Sequence, residues 1–191
     1  EKLLLKTKNC PIEILKDFAK NVEMKCSVAF NKKCPSYLLE DIYNSLTYNS
    51  SASDIKNNVK IKRSITLNPN CPIHILEKLS NDIDKDIRNF VAINDRTENY
   101  ILNKLLNDSY YHVRLAVLKR CWFDCPENEN TIHILNKFAK DKNHIIRAEV
   151  AIKADLNILN LIYKDKNSWV ANCMVQNKFC TYEMLKYIYK K

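Results

Sequence analysis

Residues 68–94 read NPNCPIHILEKLSNDIDKDIRNFVAIN. A Cys-Pro pair is followed by leucines, then by an Asp six residues before an Arg, and then by an aliphatic cluster. The same order recurs along the chain. When the sequence is aligned on the leucine five residues after the Cys-Pro cysteine, it gives NKKCPSYLL (31–39), NPNCPIHIL (68–76), NDRTENYIL (94–102) and NKFCTYEML (177–185). KTKNCPIEIL (6–15), ENENTIHIL (127–135) and IKADLNIL (152–159) fit more loosely. The anchor leucines are 15, 39, 76, 102, 135, 159 and 185, with spacings of 24, 37, 26, 33, 24 and 26. That is a period of about 25 residues with two insertions, the sequence signature of a repeat architecture.

The second part of each unit repeats as well: MKCSVAF (24–30), IKRSITL (61–67), IRNFVAI (87–93), VRLAVLK (113–119), IRAEVAI (146–152) and VANCMVQ (170–176). Apolar residues at i, i+4 and i+5 form one stripe of a helix, and Ile73, Leu76 and Leu79 form another in the first part. Each unit therefore reads as two helices of roughly eight to twelve residues. Helices that short are marginal alone and must stack on neighbours.

Pro11, Pro35 and Pro72 are expected in the first helical turn, where φ is preset and a missing N–H costs nothing. That puts Cys10, Cys34, Cys71 and Thr97 at the N-cap. Asp82–Arg88, Asp108–Arg114 and Asp141–Arg147 share the six-residue spacing. Each Asp is expected to cap the second helix or to pair with its Arg across the turn, with copies stacking into a ladder. Lys25 and Lys62 hold the Arg position early in the chain, and Ala171 holds it opposite Asp165, where the ladder should end.

This pattern resembles the leucine-rich repeat variant family, whose units run Asn-Pro-x-Thr-Pro, leucines, Asp, then Val-Arg-x-x-Val-Ala. It is similar also to HEAT-like repeats, which share the Asp-to-Arg spacing. The resemblance covers about Lys6 to Lys191 and is best at 68–118. It implies an all-α fold: a right-handed α-solenoid of about seven short two-helix repeats, two of them with insertions. All of 1–191 would form one helical-repeat domain, with units beginning near 6, 31, 68, 94, 119, 153 and 177. Some members of the family carry an iron–sulfur module before the repeats. This chain has no matching cysteine cluster there, so no cofactor is expected.

Composition narrows the function classes. Glycine is absent from all 191 residues, so no P-loop or Rossmann fingerprint exists and β-turns are disfavoured. Hydrophobic residues make up 46 %, enough for a core, and no apolar run approaches the ~20 residues of a membrane span. EKLLLKTKNC at the start is too short for a signal peptide, and a chain that begins with Glu leaves room for a trimmed leader. The net charge is +9, with about +3 on residues 1–95 and +6 on 96–191. Such a surplus attracts nucleic acid or anionic surfaces, but no long basic run concentrates it.

No chemistry stands out. Eight cysteines in reduced form suit a cytoplasmic protein. Cys10, Cys34, Cys71 and Cys180 share one repeat phase, and neighbouring units are roughly 10 Å apart, too far for disulfides, so they read as packing residues. Cys121 and Cys125, in CWFDC, read as incidental thiols of a loop near an insertion; with His133 they do not make a zinc spacing. His74 and His133 share a phase and read as structural. No catalytic residue, metal ligand or cofactor is assigned. HEAT-like alkylpurine DNA glycosylases use Trp, Asp and Arg against DNA; Trp122, Asp124, Arg147 and Trp169 are present, but their local sequences differ from that family's.

The best binding candidates lie at the starts of the second helices: Lys85, Tyr111, His112, His144 and Trp169, with Lys60 from NSLTYNSSASDIKNNVKIKR (44–63). The Ser/Asn-rich centre of that stretch reads as a loop, and Lys56, Lys60, Lys62 and Arg63 as a basic patch after it. In solenoids the second helices commonly line a concave surface. The expected function is a non-enzymatic scaffold for protein–protein interaction. Nucleic-acid binding is the alternative and HEAT-like glycosylase activity a remote one; no membrane association is expected.

Overall fold

The computed structural model describes residues 10–46, 52–124 and 129–190, the side chains of 122–124 and 129–130 excepted. The protein is all-helical. Among the described residues thirteen helices follow one another with no strand: α1 (Ile12–Ala19), α2 (Lys25–Phe30), α3 (Ser36–Asn44), α4 (Ala52–Thr66), α5 (Ile73–Leu79), α6 (Lys85–Ile93), α7 (Asn99–Leu105), α8 (Tyr111–Asp124), α9 (Glu129–Phe138), α10 (His144–Lys153), α11 (Leu156–Ile162), α12 (Ser168–Val175) and α13 (Tyr182–Tyr189). Each of the seven anchor leucines lies on its own odd-numbered helix, and all but the half-buried Leu185 are buried. None of the described helices is long and apolar enough to cross a membrane.

The chain divides into two compact units, Glu1–Asn107 and Asp108–Lys191. In the first, α2, α4 and α6 pack side by side in that order, and α1, α3 and α5 pack on α2, α4 and α6. In the second, α8, α10 and α12 pack in order, and α9 and α11 both lie against α10. Most helices are only two turns long, so the apolar stripes of both layers supply the stability that propensity cannot. Leu39, Ile65, Leu76 and Val91 are fully buried in the first unit, and Phe138, Ile146 and Val150 in the second. Each such side chain contributes roughly 1.5–3 kcal/mol relative to exposure.

Local details depart from the sequence reading in three places. First, the prolines stand at the N-cap, one residue earlier than expected. Pro11, Pro35 and Pro72 have φ of −60°, −74° and −61° with extended ψ of 147°, 157° and 141°. Their carbonyls accept the first helical N–H groups, from Leu15, Leu39 and Leu76. The ring fixes φ but permits either ψ, and the extended one turns the chain into the helix. The preceding cysteines therefore lie outside the helix, each thiol donating to the proline carbonyl at 3.7–3.9 Å. Thr97 likewise gives up the cap to Glu98, and its hydroxyl donates to the Val91 carbonyl.

Second, helix length absorbs the insertions. α4 has 15 residues and α8 has 14, beyond the expected twelve, while α2 has only six. Ala52 and Ser53, expected in a loop, are helical; residues 47–51 lie outside the described residues. Cys121 is half-buried in α8 rather than in a loop, because VRLAVLKRC holds good helix formers and no Gly or Pro. Cys125 lies outside the described residues. Third, three of the second helices, α6, α10 and α12, are capped by Asp84, Asn143 and Asn167, two residues after the repeated Asp.

Candidate functional site

The repeated Asp closes the turn instead. Oδ1 of Asp82, Asp108, Asp141 and Asp165 accepts the backbone N–H two residues on. The repeated Arg does not bind the carboxylate of its own turn. Nη1 of Arg88, Arg114 and Arg147 donates to the carbonyls of Asp82, Asp108 and Asp141 at 2.7–2.8 Å. The other face of the guanidinium reaches forward. Arg114 grips Asp141 at 2.7 and 2.8 Å, and Arg147 grips Asp165 at 2.5 and 3.1 Å. Lys62 meets Asp82 in the same way at 2.8 Å. The ladder thus pairs Lys62, Arg114 and Arg147 each with the acid of the following turn. A six-residue separation carries the guanidinium over its own turn's backbone, where it meets carbonyls, while the carboxylate is engaged by an N–H. Asp165, expected beyond the ladder's end, accepts its last rung. Lys25 faces a turn with no Asp and donates to Ser45 Oγ at 2.7 Å.

Arg114 and Asp141 are nearly sealed from water, their side chains 5 % and 8 % exposed. Burial pushes the Asp141 carboxyl up, but the Arg114 hydrogen bonds and the Asn143 N–H outweigh it and hold the carboxyl below its usual range. This ladder is structural, and it engages Nε, Nη1 and Nη2 of Arg147.

A second ladder was legible in the sequence and received no role there. The Asn that opens four of the aligned strings is buried at Asn31, Asn68, Asn94 and Asn177. Asn68 Nδ2 donates to the carbonyls of Ala29 and Asn31 at 2.7 and 2.8 Å, and Asn94 Nδ2 to those of Thr66 and Asn68 at 2.6 and 3.1 Å. Asn177 does the same for Ala151 and Ala154 in the second unit. Each Oδ1 accepts the N–H two residues on. One amide therefore ties the end of a second helix to the end of the preceding one.

The carbonyls on either side of Phe30 and of Leu67 point at one asparagine, so those side chains project away from it. Phe30, Leu67 and Ile93 are 64 %, 42 % and 45 % exposed, and they stand at one repeat position at the C-terminal ends of the three packed helices, Phe30 and Ile93 as the last residues of α2 and α6 and Leu67 just past α4.

The residues first singled out for binding fall into both units. Lys60 is exposed on α4 and Lys85 opens α6. The expected basic patch is halved, because Lys62 pairs with Asp82 and Arg63 with Asp84 and Asp86 at 2.9 Å. In the second unit Tyr111 and His112 open α8 with ring centroids 3.9 Å apart, His144 opens α10, and Trp169 stands in the first turn of α12. His112, His144 and Trp169 are exposed, and Tyr111 is half-buried. His74 and His133 are also exposed, and His74 meets Glu40 at 3.0 Å.

The cysteines pack as expected. Cys10, Cys34 and Cys71 are buried free thiols, and Cys180 is half-buried. Burial pushes Cys34 and Cys71 up to about 12, so almost no thiolate exists at neutral pH. Treating the native protein with iodoacetamide at pH 8 should label the half-buried Cys26, Cys121 and Cys180 before the buried Cys34 and Cys71, which should stay unmodified until unfolding. Peptide mapping reads this directly, and early labelling of Cys34 or Cys71 would contradict their packing. Among the described residues no group of His, Cys, Asp or Glu could hold a metal ion. An open depression of about 410 Å³ between α1 and α3 is lined by Lys16, Lys20, Lys25, Tyr37 and Asp41. Lys16 lies over Tyr37, and Lys20 pairs with Asp17.

No protein-family model matches the chain, no curated protein matches it, and no solved structure matches it.

Proposed function

We propose that this chain is a non-enzymatic helical-repeat scaffold, a right-handed α-solenoid of about seven two-helix units, that mediates protein–protein interaction through its second helices. The placement of each anchor leucine on its own helix supports the repeat reading, as does the sequential packing of second helices within each unit. The likeness to leucine-rich repeat variant and HEAT-like sequences supports it too. The observation that carries the binding reading is the row Phe30, Leu67 and Ile93. Lone exposed apolar residues need no explanation, but three at one repeat position at the ends of adjoining helices make a row. A row with helix-packing spacing suits a peptide segment that offers apolar side chains in sequence.

Displaying a random peptide library against the full chain tests this. Peptides with recurrent apolar positions should be enriched. Their affinity should fall at least ten-fold in a Phe30→Ser, Leu67→Ser, Ile93→Ser variant whose helicity is unchanged. Enriched peptides that bind the variant equally well, or no enrichment at all, would overturn the reading. Nucleic-acid binding, the alternative, draws on a different face, in the second unit.

A further inference from the structure

The turns before α10 and α12 read Lys140-Asp141-Lys142-Asn143 and Lys164-Asp165-Lys166-Asn167. Their inner residues are committed. Asp141 and Asp165 receive Arg114 and Arg147, and Asn143 and Asn167 cap the helices. The four lysines that flank the acids are all exposed, and among the described residues none of them forms a salt bridge. Lys164 lies 5.2 Å from the Tyr163 ring centroid, and that ring meets Tyr187 edge-on at 5.6 Å.

Arg147 fixes the two turns against each other, because one guanidinium binds the Asp141 carbonyl and the Asp165 carboxylate. The lysines therefore form two pairs on adjacent turns, about 10 Å apart as packed helices are. Beside them stand His144 and Trp169, the latter 60 % exposed. The corresponding turn of the first unit reads Asn81-Asp82-Ile83-Asp84 and is acidic. Four exposed lysines that look scattered in the sequence thus share one edge of the second unit, with a planar aromatic side chain at that edge.

We infer that this edge binds single-stranded nucleic acid: Lys140, Lys142, Lys164 and Lys166 follow the phosphates, and Trp169 stacks on a base. Ammonium groups on flexible stems suit a repeating anion without a fixed sequence, and an indole face accepts any base. This goes beyond the protein-scaffold reading and stands on the other unit, so each can fail without the other.

Fluorescence anisotropy of the full chain with labelled oligo(dT) and oligo(rU), from 50 to 200 mM salt, tests it. Four phosphate contacts give a log–log salt slope near −2.8, or a loss of about fifty-fold over that range. Lys164→Ala with Lys166→Ala should reduce the slope by about 1.4. Trp169→Ala should weaken binding about five-fold or more with the slope unchanged. Lys78→Ala with Lys104→Ala, which removes the same charge from α5 and α7, should change neither. All these positions are exposed, so circular dichroism should be unaltered. Preference for one oligonucleotide would assign RNA or DNA. Absent binding at 50 mM salt would overturn the inference. So would equal loss in the Lys78/Lys104 variant, or equally tight binding to heparin or phosphatidylserine vesicles with Trp169→Ala silent.

Discussion

Arg114→Ala is expected to destabilise the second unit by about 3 kcal/mol or more, far beyond a typical surface change. The substitution removes two hydrogen bonds to the Asp141 carboxylate and two to the carbonyls of Asp108 and Ser109. It leaves Asp141, 8 % exposed, as an uncompensated buried charge. The pH dependence separates this mechanism from simple loss of packing. The folded-state carboxyl of Asp141 is depressed, so its contribution is present above its unfolded value near 3.9 and is lost as pH falls through the folded value. Without Arg114 the buried carboxyl prefers its proton. The gap between wild type and variant should therefore be widest above about pH 5 and should narrow in acid. Arg114→Met with Asp141→Leu should recover part of the loss, because a buried pair replaced by apolar side chains is often near neutral. Lys20→Ala, which breaks the exposed pair with Asp17, should give no measurable change. Urea denaturation at several pH values reads all of these. An unchanged midpoint for Arg114→Ala would mean that the ladder does not hold the turns.

How far this was legible depends on the physical range of each signal. The alternation of apolar stripes and the period near 25 residues are local and dense, so an all-helical chain could be read before any coordinates. Helix positions followed from the anchor leucines. Caps did not, because Pro and the residue before it both suit a helix start and only ψ distinguishes them. The Asp–Arg spacing showed that the two residues belong together but not which atoms meet. The carboxylate partner lies 27 residues away for Arg114 and 18 for Arg147, and a spacing of six points to neither. The binding candidates were chosen at helix starts, where Trp169 and His144 do stand exposed. The lysines that gather beside them were hidden, because charge counted along a chain cannot say that Arg63 and Lys62 are neutralised while Lys164 and Lys166 are not. The row Phe30, Leu67 and Ile93 was visible as the seventh letter of each aligned string. It lies outside the i, i+4 and i+5 stripe, so the sequence assigned it no role, and its exposure appears only in the packing.

The other large effect should come from Asn68→Ala in the first unit. Asn68 is 1 % exposed and satisfies three backbone groups: the carbonyls of Ala29 and Asn31 and the N–H of Asn70. No other side-chain type presents two N–H groups and one acceptor in so short a plane, and a buried group left unpaired costs about 1–3 kcal/mol. Alanine should therefore cost about 3 kcal/mol in urea denaturation, allowing water to reach one of the three. Asn68→Asp discriminates between mechanisms. It keeps the shape and the acceptor but sets carboxylate oxygens against two carbonyls. If the donated bonds matter it should be at least as damaging as alanine near neutral pH and should recover in acid, where a protonated carboxyl regains one donor. If only packing matters, the near-isosteric Asp should be mild at every pH. Asn70 makes a similar pair of bonds to the carbonyls of Lys32 and Cys34 from a half-exposed position. Water can replace those bonds, so Asn70→Ala should cost under about 1 kcal/mol. The difference between neighbouring asparagines places the weight on burial: the amide at 68 ties the end of α4 to that of α2, as the amide at 94 ties α6 to α4, and so helps keep Phe30, Leu67 and Ile93 in line. A destabilised Asn68 variant that still folds at low temperature should bind the selected apolar peptides more weakly, although its own side chain never reaches them.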